Sequence, residues 1–156
     1  LKNLANNLSR NKLIIKILEE EINKNNPCLV FTCNVNHAQI LNAAMNFKNY
    51  STLSLDSNTG KSRRKIIIEE FKTGKCQILF NYGILSTGFD APNIRTVIIT
   101  RPTSSIVLYS QMIGRGLRGP KMGGAKECNL IEIRDNFKNF GGVEKVYHYF
   151  EDYWKN

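Results

Sequence analysis

The chain has 156 residues, a formal net charge of +9 and 42% hydrophobic residues, which is enough apolar material for one buried core and too much for a disordered segment. No apolar run approaches the ~20 residues needed to cross a bilayer, and no signal-peptide pattern opens the chain, so a cytoplasmic protein without a membrane partner is expected. The positive charge points to a polyanionic partner, most simply nucleic acid, with a solvated lysine-rich surface as the plain alternative.

Residues 9–25 carry Leu13, Ile14, Ile17, Leu18 and Ile22 at helical spacing, with glutamates and lysines on the opposite side. Pro27 closes that segment. Residues 28–32 form a short unbroken apolar run, the pattern of a strand buried on both faces. An amphipathic helix over 35–47 and a brief strand over 52–55 follow. A polar loop at 56–60 then leads to a basic helix over 61–72, which ends at Thr73-Gly74. Strands are expected at 76–80, 96–100 and 128–133. Ser104 or Ser105 is placed to cap a helix running into residues 111–118. The tail at 146–154 reads as a terminal helix whose aromatic residues pack rather than stack on bases.

Strands alternating with helices of this length predict βαβ units, hence an α/β fold with a mostly parallel sheet and helices on both faces. One domain is expected over 1–156, with its core at about 27–133. Ligand-binding loops of such sheets lie at the carboxyl ends of the strands. The four cysteines, Cys28, Cys33, Cys76 and Cys128, form no CxxC pair and have no histidine at metal-ligand spacing. Buried thiols in a reducing compartment are expected, and no metal site. His37 and His148 have no catalytic partner in the sequence.

Two stretches carry chemistry. The first is residues 81–92, Asn-Tyr-Gly-Ile-Leu-Ser-Thr-Gly-Phe-Asp-Ala-Pro, read as a loop after the 76–80 strand. Its glycines let backbone approach a phosphate or ribose closely. Asn81 and Thr87 offer hydrogen bonds to a phosphate. Asp90 is the loop's one carboxylate, suited to a ribose hydroxyl or to a downstream arginine. A strand-to-helix turn with Asp90 as a cap would look the same. The second stretch is Gln111-Met112-Ile113-Gly114-Arg115-Gly116-Leu117-Arg118. On one continuous helix Gln111, Arg115 and Arg118 would fall at i, i+4 and i+7 and share a face. Two guanidiniums there repel unless an anion sits near them, and a phosphoryl group in transfer is the natural candidate.

Taken in order, these segments resemble superfamily 2 helicases. Residues 29–34 with His37-Ala38 look like motif IV. Residues 78–81 running through Gly88-Phe89-Asp90-Ala91-Pro92 look like motif V, and Tyr109-Ser110-Gln111 through Gly114-Arg115 and Arg118 like motif VI. Arg63-Arg64 with Phe71 and Gly74 resemble the segment that precedes motif V; spacing leaves open which arginine holds the family position. The resemblance spans about 27–133. Gly88-Phe89-Asp90-Ala91-Pro92 with Gly114-Arg115-Gly116-Leu117-Arg118 looks closer to restriction-enzyme-type DNA translocases than to DEAD-box proteins. Thr87 departs from that subgroup, which often has glutamate there.

The resemblance implies a RecA-like three-layer sandwich, the second lobe of an ATP-dependent helicase or translocase acting on DNA. ATP with Mg²⁺ would be held mainly by a first lobe, the partner lobe of the same full-length protein. Arg118 would be the arginine finger, Arg115 the second γ-phosphate arginine, and Gln111 a contact to the γ-phosphate or its attacking water. Gly88 and Asp90 would lie by the ribose and the finger network. Thr32, Asn34, Arg64, Asn81 and Thr87 would line the nucleic-acid backbone track, where contacts position a strand without reading it. The residues contain no GxxxxGK[ST] loop and no DExx motif, so the chain is expected to be half a motor and inactive alone. Its start at Leu1 rather than methionine fits that expectation. Two alternatives stay open: a non-catalytic nucleic-acid-binding or scaffold module, and an unrelated enzyme using Arg115 and Arg118 on a sugar phosphate.

Overall fold

In the computed structural model the described residues are 1–84, 93–115 and 126–135. They form, in chain order, α1 (Lys2–Ala5), α2 (Leu8–Asn23), β1 (Cys28–Phe31), α3 (Val35–Phe47), β2 (Thr52–Asp56), α4 (Lys61–Lys72), β3 (Ile78–Tyr82), β4 (Thr96–Ile99), α5 (Ile106–Ile113) and β5 (Asn129–Glu132). The five strands make one sheet in the order β2-β3-β1-β4-β5, and every pairing is parallel. Among the described residues no helix is long and apolar enough to cross a membrane.

The central strands are buried on both faces, and alternation along them divides the core in two. Leu29 and Phe31 of β1 point to one face with Leu79, Val97 and Ile99, where Ile67 and Phe71 of α4 and Tyr109, Met112 and Ile113 of α5 pack. Cys28 and Val30 point to the other with Ile78, Phe80 and Ile98, against Ile14, Leu18 and Ile22 of α2 and Ala38, Leu41 and Met45 of α3. Three layers result, as the alternating pattern predicts. Side-chain caps start three helices: Asn7 accepts from Arg10 N, Asn34 from His37 N and Ser105 from Leu108 N.

Polar side chains fasten α2 to both edges of the sheet. At the carboxyl edge Arg10, 6% exposed, forks onto Asp135 with Nε–Oδ1 2.8 Å and Nη2–Oδ2 3.0 Å. It also donates to the Thr100 carbonyl. At the amino edge the buried Glu21 carboxylate accepts from Lys24 (2.8 Å), Asn26 (3.0 Å), Thr96 (2.5 Å) and Asn129 (3.1 Å). Burial opposes its charge, but these donors outweigh the burial and hold the carboxyl down at about 2.

Three expectations are corrected. The strand expected at 76–80 is β3 at Ile78–Tyr82, because Cys76 N–H still bonds the Glu70 carbonyl of α4 and the ladder begins with Gln77. Asn81 and Tyr82, expected in a loop, are therefore the last residues of a strand. The helix carrying Gln111 stops at Ile113 with Gly114 as its cap, and Arg115 N–H turns back to the Met112 carbonyl. Gln111 thus stands on α5 and Arg115 in the turn just past its cap, so these two do not continue one helix, and Arg118 lies outside the described residues. The expected terminal helix at 146–154 lies outside the described residues.

Candidate nucleotide and nucleic-acid interface

Thr32, Asn34, Arg64, Asn81 and Arg115 stand at or near the carboxyl ends of the strands, where a parallel sheet places its ligand loops. Thr32 follows β1 and is fully buried. Its hydroxyl lies 3.2 Å from both the Asn34 and the Asn81 carbonyls, so it ties the end of β1 to the end of β3. Asn34, half-buried, spends its side-chain oxygen on the first turn of α3, 2.8 Å from His37 N. Arg64 sits in the first turns of α4 with Nη2 3.5 Å from the Thr59 carbonyl. Arg63 instead is exposed and lines an open groove with Asp56, Asn58, Thr59 and Gly60 at the end of β2. Thr87, Gly88, Asp90 and Arg118 lie outside the described residues.

Gln111 is exposed on the last turn of α5, and Arg115 is half-buried one residue beyond the Gly114 cap. Arg115 lines a small cavity together with Phe31, Leu55, Leu79, Asn81 and Ile84. The fold therefore brings Arg115 and Asn81 to one place although they are far apart in sequence. A guanidinium and an amide at a strand end are suited to the oxygens of a phosphate. Among the described residues no group of three or more His, Cys, Asp or Glu side chains is placed to hold a metal ion.

Two features were not anticipated. Arg101, the second residue after β4, holds its guanidinium 5.4 Å from the ring centre of Tyr82 at the end of β3. This contact spans the carboxyl end of β1 and joins the segment before α5 to the segment before residues 85–92. The second is His37, whose Nδ1 accepts from Cys33 N–H (3.2 Å) and whose Nε2 faces Asn11 Oδ1 at 3.0 Å, which assigns the proton to Nε2. Burial, with the Arg10 cation adding to it, pushes this imidazole down to about 4. His37 thus supports the turn through Cys33 and Asn34 as a neutral ring. The cysteines are free thiols, and burial raises Cys28, Cys33, Cys76 (to about 11) and Cys128. Raised values make poor nucleophiles.

Residues 9–119 match the helicase conserved C-terminal domain. A putative ATP-dependent helicase of Saccharomyces cerevisiae, IRC3, is 37% identical over 120 residues, covering 76% of this chain and 17% of the relative. The ATP-dependent RNA helicase DBP3 of Kluyveromyces lactis is 28% identical over 102 residues, 65% of this chain and 20% of that protein. The chain spans about a fifth of the length of the curated relatives it matches. Among solved structures, the C-terminal part of the Fun30 ATPase domain aligns with TM-score 0.73 at 21% identity over 88% of this chain and 43% of that one. The S. cerevisiae Dbp5 C-terminal domain aligns with TM-score 0.68 at 18% identity over 90% and 80%. Both share the fold of the sheet described above.

Proposed function

The chain belongs to the helicase conserved C-terminal domain family, and on that premise we propose that it is the second RecA-like lobe of an ATP-driven nucleic-acid motor. ATP with Mg²⁺ is held mainly on a first lobe of the full-length protein. Closure of the two lobes brings Arg115 and Arg118 to the γ-phosphate and Gln111 to the phosphate or its attacking water, while Gly88 and Asp90 lie by the ribose. Asn34, Arg64 and Thr87, with the backbone around Thr32 and Asn81, form part of the track for the strand. DNA is the proposed substrate, on the restriction-enzyme-type look of residues 88–92 and 114–118. Closing on ATP and reopening after hydrolysis shift the grip along the strand.

The observation that carries this proposal is the position of Arg115. It lies directly past α5, behind an exposed Gln111 and at the carboxyl edge of the sheet. A cation and an amide at such an edge are complementary to a phosphoryl group in transfer, where charge stabilisation is the main catalytic work. The net charge of +9 supports a nucleic-acid partner. The test is ATP turnover by the full-length protein carrying Arg118→Ala, with single-stranded DNA and with RNA. Turnover falls by about 10³-fold or more while strand affinity stays within about twofold. Unchanged turnover sinks the finger assignment, and stimulation by RNA but not DNA sinks the substrate assignment.

A further inference from the structure

Asn81 is 4% exposed, yet its side-chain oxygen Oδ1 has no hydrogen-bond partner among the described residues. Its structural duties are met by the backbone. The Asn81 carbonyl accepts from both the N–H and the hydroxyl of Thr32, and any residue at this position would supply that carbonyl. The side chain sits in the cavity walled by Phe31, Leu55, Leu79 and Ile84, where an apolar residue would satisfy its surroundings better. A desolvated acceptor without a donor is a cost to the state that contains it. An asparagine in this place is accounted for if a second state of the protein delivers the donor.

The cationic side chain lining that cavity is Arg115. It follows Gly114 in a turn rather than standing on a helix, so its direction is not set by helical packing. Arg115 has a partner of its own in this structure, so engaging Asn81 requires its guanidinium to turn. We infer that Asn81 is a positioning residue for Arg115: in the closed, ATP-bound state its Oδ1 accepts from the Arg115 guanidinium and fixes the plane that the guanidinium presents to the γ-phosphate. This rests on the proposed function and moves the Asn81 side chain from the nucleic-acid track to the nucleotide side. Its burial agrees with that move, because a side chain 4% exposed offers a strand almost no surface.

The test uses full-length protein carrying Asn81→Leu, Asn81→Ala, Arg115→Ala, or Asn81→Leu with Arg115→Ala. ATP turnover, strand affinity and melting temperature are measured on each. Both Asn81 variants lower kcat about tenfold, leave strand affinity within about twofold, and leave the leucine variant melting no lower than the parent. The double variant turns over no more slowly than Arg115→Ala alone, since the asparagine acts through the arginine. The inference is overturned if kcat holds within about twofold, or if strand affinity falls instead. It is also overturned if turnover and melting fall together, which marks a purely structural asparagine, or if the losses multiply in the double variant. Should Arg115→Ala itself leave turnover unchanged, the proposed function has failed and takes this inference with it. Turnover lost in Arg115→Ala but kept in the Asn81 variants leaves the function standing and removes the inference alone.

Discussion

At the amino edge of the sheet, Glu21 is given four donors, two by the segment trailing α2 and one each by β4 and β5. At the carboxyl edge Asn81 Oδ1 and the Nε atoms of Arg64 and Arg101 are buried without a partner among the described residues. Both edges are built from the same strands and carry polar groups of similar kind. The Glu21 cluster and the Asn81 site differ in what completes them, although Asn93 Oδ1, ahead of β4, is also buried without a partner among the described residues. The amino-edge cluster is closed by the protein itself and holds the layers together. The carboxyl edge is closed on the α2 side by Arg10 and Asp135 and left incomplete beside the cavity that Arg115 lines.

If that division is right, substitutions on the closed clusters should cost stability. On stability the largest loss is expected for Asp135→Ala, which strands the buried Arg10 charge and costs about 3–5 kcal/mol in denaturant unfolding. A loss under about 1 kcal/mol would show that water reaches Arg10 and that the lock is open. Glu21→Ala leaves Thr96, Asn26 and Asn129 without their acceptor and costs about 3 kcal/mol. Because the Glu21 carboxyl is lowered to about 2 from an ordinary 4.5, its contribution is complete above 4.5 and is lost as pH falls toward 2. Glu21→Gln flattens the acid limb of the stability profile over that window.

His37 adds a second acid dependence with a higher window. Its folded value of about 4 lies below the ordinary 6.5, so the neutral ring's contribution is complete above 6.5. It drains as pH falls toward 4, by up to about 3 kcal/mol. A stability curve flat between pH 7 and 4.5 would contradict the buried, neutral assignment. The smallest expected effect is at Ser105, where loss of the α5 cap in Ser105→Ala costs about 1 kcal/mol.

Periodicity and burial made most of the layers legible. Residues 35–47 match α3, and the sequence pattern identifies four of the five strands within one residue and β3 within two, because local hydrophobic pattern reports which face an element buries. The register of β3 was misplaced because Cys76 extends the apolar run while its N–H still belongs to the end of α4. Polar Asn81 and Tyr82 likewise look like a loop until β1 and β2 are seen to pair with them. The helical spacing of Gln111 and Arg115 fails because α5 stops at Ile113 and the Arg115 N–H tightens onto the Met112 carbonyl. Contacts such as Arg10–Asp135 and Arg101–Tyr82 leave no trace in spacing, since their partners meet only through the order of the strands.

The contrast between the two edges is tested most directly by measuring ATP turnover and melting temperature on the same preparation of full-length Arg115→Ala. Turnover falls by about 10³-fold while melting stays within about 2 °C of the parent, as befits a charge placed for a ligand rather than for the fold. Turnover within twofold of the parent, or a loss of turnover that tracks a loss of folded protein, would contradict the account.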